Sequence, residues 1–420
     1  MTISSFALTV THVIRNHDVS DEFVSGCGGT GVAAHLTHDG PGVDGHRDLH
    51  VDQGALPGEH PGRSRNPVIK VHEIAWLEFQ KPDLAKARLF AEAFGFGVTM
   101  DTGSEVHLRG TSAGAPCVIL RRGAGTRFLG AAFLADSSAD VMTLAARTRR
   151  QVTQLPDAIG GIGVDLTDPS GQLVRVVADI DLGHQLPGQP VHTFNFGVTD
   201  SGNDPARINS PQRPPLEPAR VERLGHVVLQ RSRYLANLDW YLEHLGLIVS
   251  DFLYYDGQRA RGPVMSFLRC DRGQTATDHH TLAMALGPTD RYVHSAYQVC
   301  DLDAIGAGSR YLTERGYKHS WGIGRHIQGS QIFDYWRDPD GFLVEHFSDG
   351  DRFDSTLEPG WAPMTATGLA QWGPPPSVDF LGIAPGRQSL AELRSIVGSL
   401  RADNEFDLHR LRGLMKVAST

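Results

Sequence analysis

The chain has 420 residues and an apolar fraction of 40%, enough to bury a sizeable core in two or three domains or in one duplicated architecture. A formal net charge of -9 offers no concentrated basic surface, which argues against nucleic acid as the main partner. No apolar run approaches a membrane span, no secretory signal opens the chain, and Cys27, Cys117, Cys270 and Cys300 form no CxxC pair, so a cytoplasmic protein away from the membrane is expected.

Residues 1–66 read as a flexible Gly/His-rich arm, because the stretch 26–62 lacks periodicity. His35, His38, His46, His50 and His60 fall there, without the rigid frame that ligands need to converge. Structure is expected to begin near Val68, with a strand to Phe79. Asp83 then caps a helix presenting Leu84, Ala87, Phe90 and Phe94, which Gly95 and Gly97 stop. Strand-like runs follow at Glu105–Leu108 and Pro116–Leu120. The pattern restarts with a strand at Phe128–Leu134, a helix at Val141–Arg149, and strands at Gly163–Leu166 and Leu173–Ala178. Arg147, Arg149 and Arg150 read as a solvated helix face.

A Pro-rich linker over 199–220 interrupts the chain, and the pattern then returns twice. His226–Leu229 is a strand, and Leu235, Leu238, Leu242 and Leu245 mark a helix face. Strands follow at Val264–Arg269 and Thr281–Leu286, then a strand at His294–Val299, a helix near Ile305–Arg315 and a strand at Phe342–Phe347. Residues 351–420 form a tail, of which Phe353 to Leu381 reads as an ordered, Pro-stiffened cover.

The chain therefore repeats. Asp168-Pro-Ser-Gly-Gln-Leu-Val-Arg175 matches Asp338-Pro-Asp-Gly-Phe-Leu-Val-Glu345, and Phe128–Phe133 aligns with Tyr292–Tyr297. Asp-Pro-x-Gly is a turn, and the apolar residues after it form the returning strand. The expected fold is α+β, with two paired domains (67–198 and 221–350) of two β-α-β-β-β units each. Aligning the halves sets His226, His294 and Glu345 of the second against His72, Gly130 and Arg175 of the first. Two imidazoles and a carboxylate suit a divalent metal such as Fe(II), with positions left open, whereas a cation at a ligand place repels one. The first domain then reads as a non-binding copy. His244 reads as exposed, His319 as a pocket-rim residue, and His346 as pointing away from Glu345.

The run from Gly324 to Glu345, GRHIQGSQIFDYWRDPDGFLVE, resembles the type I extradiol ring-cleavage dioxygenases of the vicinal oxygen chelate superfamily. Gly324, His326, Tyr335, Asp338, Pro339, Gly341 and Glu345 fill the family's motif, while Asp334 stands where the family has an apolar residue. The resemblance covers about Arg223 to Gly350 and leaves the first 66 residues outside it. It implies a non-haem Fe(II) centre, with Mn(II) as the alternative metal, on His226, His294 and Glu345. It implies His280 as an acid–base histidine in preference to His279, His326 as a hydrogen-bond partner of substrate or oxygen, and Tyr335 as the partner of a substrate hydroxyl. The substrates implied are a small aromatic diol and O2, in the catabolism of aromatic compounds, and a homo-oligomer is implied too. Two other classes stay open: a glyoxalase-like or other metalloenzyme of the same fold, and a non-enzymatic small-molecule-binding resistance protein.

Overall fold

The computed structural model describes residues 54–195, 207–381 and 395–417. His35, His38, His46 and His50 lie outside them, as do residues 199–206 of the linker.

Four β-α-β-β-β units follow one another. The first is β1 (Val71–Lys81), α1 (Leu84–Phe94), β2 (Gly97–Asp101), β3 (Glu105–Arg109) and β4 (Val118–Arg122). The second is β5 (Arg127–Ala135), α2 (Ser138–Thr148), β6 (Val152–Gln154), β7 (Ile162–Thr167) and β8 (Leu173–Ala178). They share one eight-stranded sheet in the order β2-β3-β4-β1-β5-β8-β7-β6. The third unit is β9 (Arg223–Arg231), α3 (Tyr234–Leu245), β10 (Leu247–Tyr255), β11 (Met265–Cys270), the short β12 (Thr277–Asp278) and β13 (Leu282–Leu286). The fourth is β14 (Arg291–Gln298), α4 (Leu302–Glu314), β15 (Lys318–Arg325), β16 (Ile332–Arg337) and β17 (Leu343–Ser348). The tail adds β18 (Arg352–Phe353), β19 (Gly360–Met364) and α5 (Leu408–Val417). The second sheet runs β15-β16-β17-β14-β9-β13-β11-β10-β19, and β12 pairs with β18.

Local chemistry explains the helix ends. Asp83, Ser137 and Asp301 each accept a hydrogen bond from a backbone N–H in the first turn of α1, α2 and α4. The Ser137 cap starts α2 three residues before the expected Val141. Arg149 ends that helix at φ 55, so Arg149 and Arg150 lie beyond it, exposed, rather than on its face.

The halves share a continuous apolar core. Phe94 stacks on His346 with ring centroids 3.7 Å apart, and His346 Nε2 donates to the Phe94 carbonyl at 2.7 Å. Two reciprocal ion pairs close the interface. Asp168 Oδ1 accepts from the N–H groups of Ser170 and Gln172 in its own turn, and Oδ2 accepts from Arg231 Nη2 at 2.9 Å. In the matching turn, Asp338 Oδ1 accepts from Asp340 and Phe342, and Oδ2 from Lys81, which also bonds Asp340 at 2.9 Å. Each half thus sends the last residue of its first strand into the final turn of the other.

The expectation of a flexible arm over 1–66 is corrected for its last residues. Gly62 accepts from Val249 N at 2.8 Å, His60 Nε2 meets Asp239 at 2.9 Å, and Glu59 pairs with Arg259. The tail lies over the open end of the second sheet. Trp321 Nε1 donates to the Pro374 carbonyl, and Arg325 exchanges backbone bonds with Gln371 and Trp372. Asp379 accepts from Lys318, Ser320 and Arg337. Burial alone would raise the Asp379 carboxyl, but those three bonds outweigh it and hold it down to about 2.

Arg231→Met would leave the Asp168 carboxylate buried without its cation. It is expected to lower stability by about 3–5 kcal/mol, read from urea unfolding; a loss under ~1 kcal/mol would show the pair to be dispensable. Asp379 is depressed below its ordinary value of 3.8, so its hold on the tail is present above that range and lost as pH falls towards 2. Asp379→Ala at neutral pH should expose the tail, measured as faster proteolysis within 365–381 while the core stays intact.

Candidate metal centre

Strand register assembles the site. Residues paired across a ladder share a face. Ala296 of β14 pairs with His226 of β9 on one side and with Glu345 of β17 on the other. Glu345 pairs with Tyr335 of β16, and Tyr335 with Trp321 of β15. The adjoining rung runs Asp251, Phe267, Ala283, Val228, His294 and Leu343. Two neighbouring rungs therefore carry both imidazoles, the carboxylate and the tyrosine on one face.

Glu345 Oε2 lies 3.3 Å from His294 Nε2 and 3.5 Å from His226 Nε2, and the two Nε2 atoms are 3.4 Å apart. All three residues are buried, Glu345 at 0% exposure. Both Glu345 oxygens lack a hydrogen-bond donor. Burial lowers His226, against the pull of Glu345, and so favours its neutral imidazole. A buried carboxylate facing two neutral imidazole nitrogens is an unpaired acceptor set, and a divalent cation about 2.0–2.2 Å from each donor would satisfy it. Among the described residues, this is the one grouping of three or more His, Cys, Asp or Glu side chains that could hold a metal ion.

The other sequence-derived residues surround this point. His280 is 4% exposed, its ring centroid 4.0 Å from that of His226, and burial followed by the neighbouring histidines pushes it well below 6.5. His326 Nε2 lies 2.9 Å from Tyr335 Oη, and its Nδ1 lies 2.7 Å from the Leu369 carbonyl. Burial brings His326 down to about 4 and drives the Tyr335 phenol well above 10, helped by the Glu345 charge. With the His326 proton on Nδ1, donated to Leu369, Nε2 accepts from Tyr335 O–H.

Asp334 does not enter the site. It pairs with His346 on the opposite face, is fully buried, and accepts from Trp336 Nε1 at 2.6 Å and meets His319 Nε2 at 2.7 Å. Two polar neighbours supply its hydrogen bonds, so a carboxylate is accommodated where the resembled family has an apolar residue. His319 is therefore a partner of Asp334 rather than a rim residue. His244, expected to be exposed, is half-buried and stacks on Trp240. Asp251 was missed: its Oδ2 lies 2.6 Å from His279 Nε2, and His279 Nδ1 lies 2.9 Å from His280 Nδ1. Only strand pairing brings Asp251 there, 28 residues from His279 in the chain.

The same register corrects the match in the first half. Ala132 pairs with Arg175 and with Trp76, so Trp76, not His72, is the counterpart of His226. Gly130 pairs with Leu173 as His294 pairs with Leu343. Glu78 accepts there from Trp76 Nε1 at 3.1 Å, Arg175 Nη1 at 2.5 Å and Arg121 Nε at 3.0 Å. A Cβ on Gly130 would stand 2.4 Å from the Leu173 carbonyl oxygen, so no side chain fits. An internal ion-pair cluster fills the place of the metal site.

Comparison with known proteins agrees with this architecture. Residues 223–346 match the model of the Glyoxalase/Bleomycin resistance protein/Dioxygenase superfamily. The chain is 28% identical over 342 residues to metapyrocatechase 2 of Cupriavidus necator, covering 79% of this chain and 96% of that protein. It is 27% identical over 157 residues to an iron-dependent extradiol dioxygenase of Rhodococcus jostii (strain RHA1), covering 36% of this chain and 50% of that one. Among solved structures, the Mn(II)-bound glyoxalase from Novosphingobium aromaticivorans matches with TM-score 0.59 and 25% identity over 72% of this chain and 91% of that one. Homoprotocatechuate 2,3-dioxygenase from Brevibacterium fuscum shares the fold, with TM-score 0.61 at 17% identity over 77% of this chain and 95% of that one. Residues 223–346 thus match the Glyoxalase/Bleomycin resistance protein/Dioxygenase superfamily, and the chain is similar over most of its length to metapyrocatechase 2 while sharing the paired-unit fold with the solved structures above.

Proposed function

We propose that the protein cleaves a catechol-type aromatic diol with O2 beside its two hydroxyls, at Fe(II) held by His226, His294 and Glu345. The observation that carries this is the buried acceptor triangle with Tyr335 and His280 flanking it on the same face. Iron held by these three residues would supply coordination of diol and dioxygen and electron transfer between them. Mn(II) fits the same donors.

The chain's own residues do the rest. Tyr335 donates its O–H to His326 Nε2, which leaves the phenol oxygen as an acceptor for a substrate hydroxyl. His280, kept neutral by burial, takes a proton from the diol and returns it when the ring opens. Val228, Phe267 and Ala283 form an apolar wall on the adjoining rung, suited to a flat ring. Phe380 of the tail packs 4.9 Å from Tyr335 and helps exclude water. No helix among the described residues is long and apolar enough to cross a membrane. A cytoplasmic homo-oligomer completes the proposal.

Loaded with Fe(II) without air and then given catechol and air, the protein should take up oxygen and form a yellow ring-opened product. Oxygen consumption by none of a panel of catechols, despite bound iron, would sink the proposal. Glu345→Gln should lose most of its metal, measured by elemental analysis, and with it turnover. Tyr335→Phe should retain iron while kcat/KM falls by roughly 10²-fold, the lower range for a positioned proton-transfer group.

A further inference from the structure

We propose that Asp251 and His279 are positioning residues that set the tautomer of His280, through the chain Asp251 Oδ2···His279 Nε2 and His279 Nδ1···His280 Nδ1. The contacts measure 2.6 and 2.9 Å. The inference rests on the function proposed above for its catalytic consequence, though not for its structural content.

A carboxylate only accepts, so His279 Nε2 must carry the proton it donates to Asp251. In a neutral His279, Nδ1 is then an acceptor. It can accept only if His280 carries its proton on Nδ1. The Nε2 of a neutral His280 is thereby left bare, as an acceptor.

The surroundings hold His279 rather than letting its ring choose. Its carbonyl accepts from Ser250 Oγ at 2.6 Å, and its N–H donates to the Asp351 carbonyl at 2.9 Å. Gly329 lies against the ring: a Cβ there would stand 3.0 Å from His279 Nδ1. Phe267 and Phe353 flank it with centroids 5.4 and 5.5 Å away. At the far end, Asp251 and His279 line a cavity of about 470 Å³ with Gln328, Gly329 and Pro359. Water reaches the carboxylate there, so its charge is solvated while His280 stays dry. Such a wired pair of imidazoles sits beside one metal ligand, and a carboxylate two strands away dictates its polarity.

The test is Asp251→Asn. The amide can donate to His279 Nε2, which inverts both tautomers and puts a proton on His280 Nε2. In protein carrying Zn(II) in place of iron, the ring-nitrogen chemical shifts of 15N-labelled histidine should show His280 Nε2 unprotonated in the wild type and protonated in Asp251→Asn. With Fe(II), Asp251→Asn should lower kcat about 10- to 100-fold with KM for catechol changed less than about 3-fold. Asp251→Glu should restore both the wild-type shifts and part of kcat. A protonated His280 Nε2 in the wild type, or unchanged shifts in Asp251→Asn, would overturn the inference. The shifts report on the tautomer whether or not the protein turns over catechols, so this failure is distinct from failure of the proposed function.

Discussion

A carboxylate at zero exposure, facing two imidazole nitrogens at 3.3 and 3.5 Å, is the constraint on which the rest of the second half depends. Taking an ion of that kind out of water costs several kcal/mol even after relaxation, and attraction to a cation is what offsets it. The donors therefore have to converge from separate strands, and the ladder supplies that convergence. Ala296 stands between His226 and Glu345 with a side chain too small to fill the gap they share. A slip of one residue in β9 or β17 would send its ligand to the other face. The tail and the aromatic rings of Trp321 and Phe380 complete the enclosure that gives the charges their weight.

The first half shows a second solution to the same geometric problem. Its inner face has the same rungs, but a buried Glu78 meets two arginines and an indole N–H there. One half satisfies its carboxylate with internal cations, while the other offers its carboxylate to an external one. The substitution of Glu345 by Arg175 at equivalent positions reverses the sign of the charge, and Gly130 removes the space for an imidazole. Conversion between the two states therefore needs several coordinated changes.

Much of this was legible in the sequence because it rests on short-range patterns. The Asp-Pro-x-Gly turns, the caps and the apolar alternation exposed the repeat and the strand ends of β8 and β17. Likeness to a known motif pointed to Tyr335 and His326, whose mutual bond the strands then make. What could not be read depends on register across long separations. Aligning the halves by sequence set His72 against His226, while pairing with Ala132 in one half and Ala296 in the other makes Trp76 the true match. Asp334 looked anomalous because its partners, His319 and Trp336, meet it only once β15 and β16 pair. Asp251 carried no local mark at all. The 3₁₀ turn at Thr367–Leu369, which brings the Leu369 carbonyl to His326, lies in a tail whose path no periodicity encodes.

The crossed pairs of Asp168 with Arg231 and Asp338 with Lys81 bear on how such a molecule can diverge. Each final turn is finished by a side chain from the other half, so removal of either half strips its sibling of an ion-pair partner and exposes the apolar core they share. The two halves are obliged to persist together whatever becomes of their inner faces. The inner face of the first half is then free to carry an ion-pair cluster in place of a ligand set, and that half serves as the counter-mould of the other.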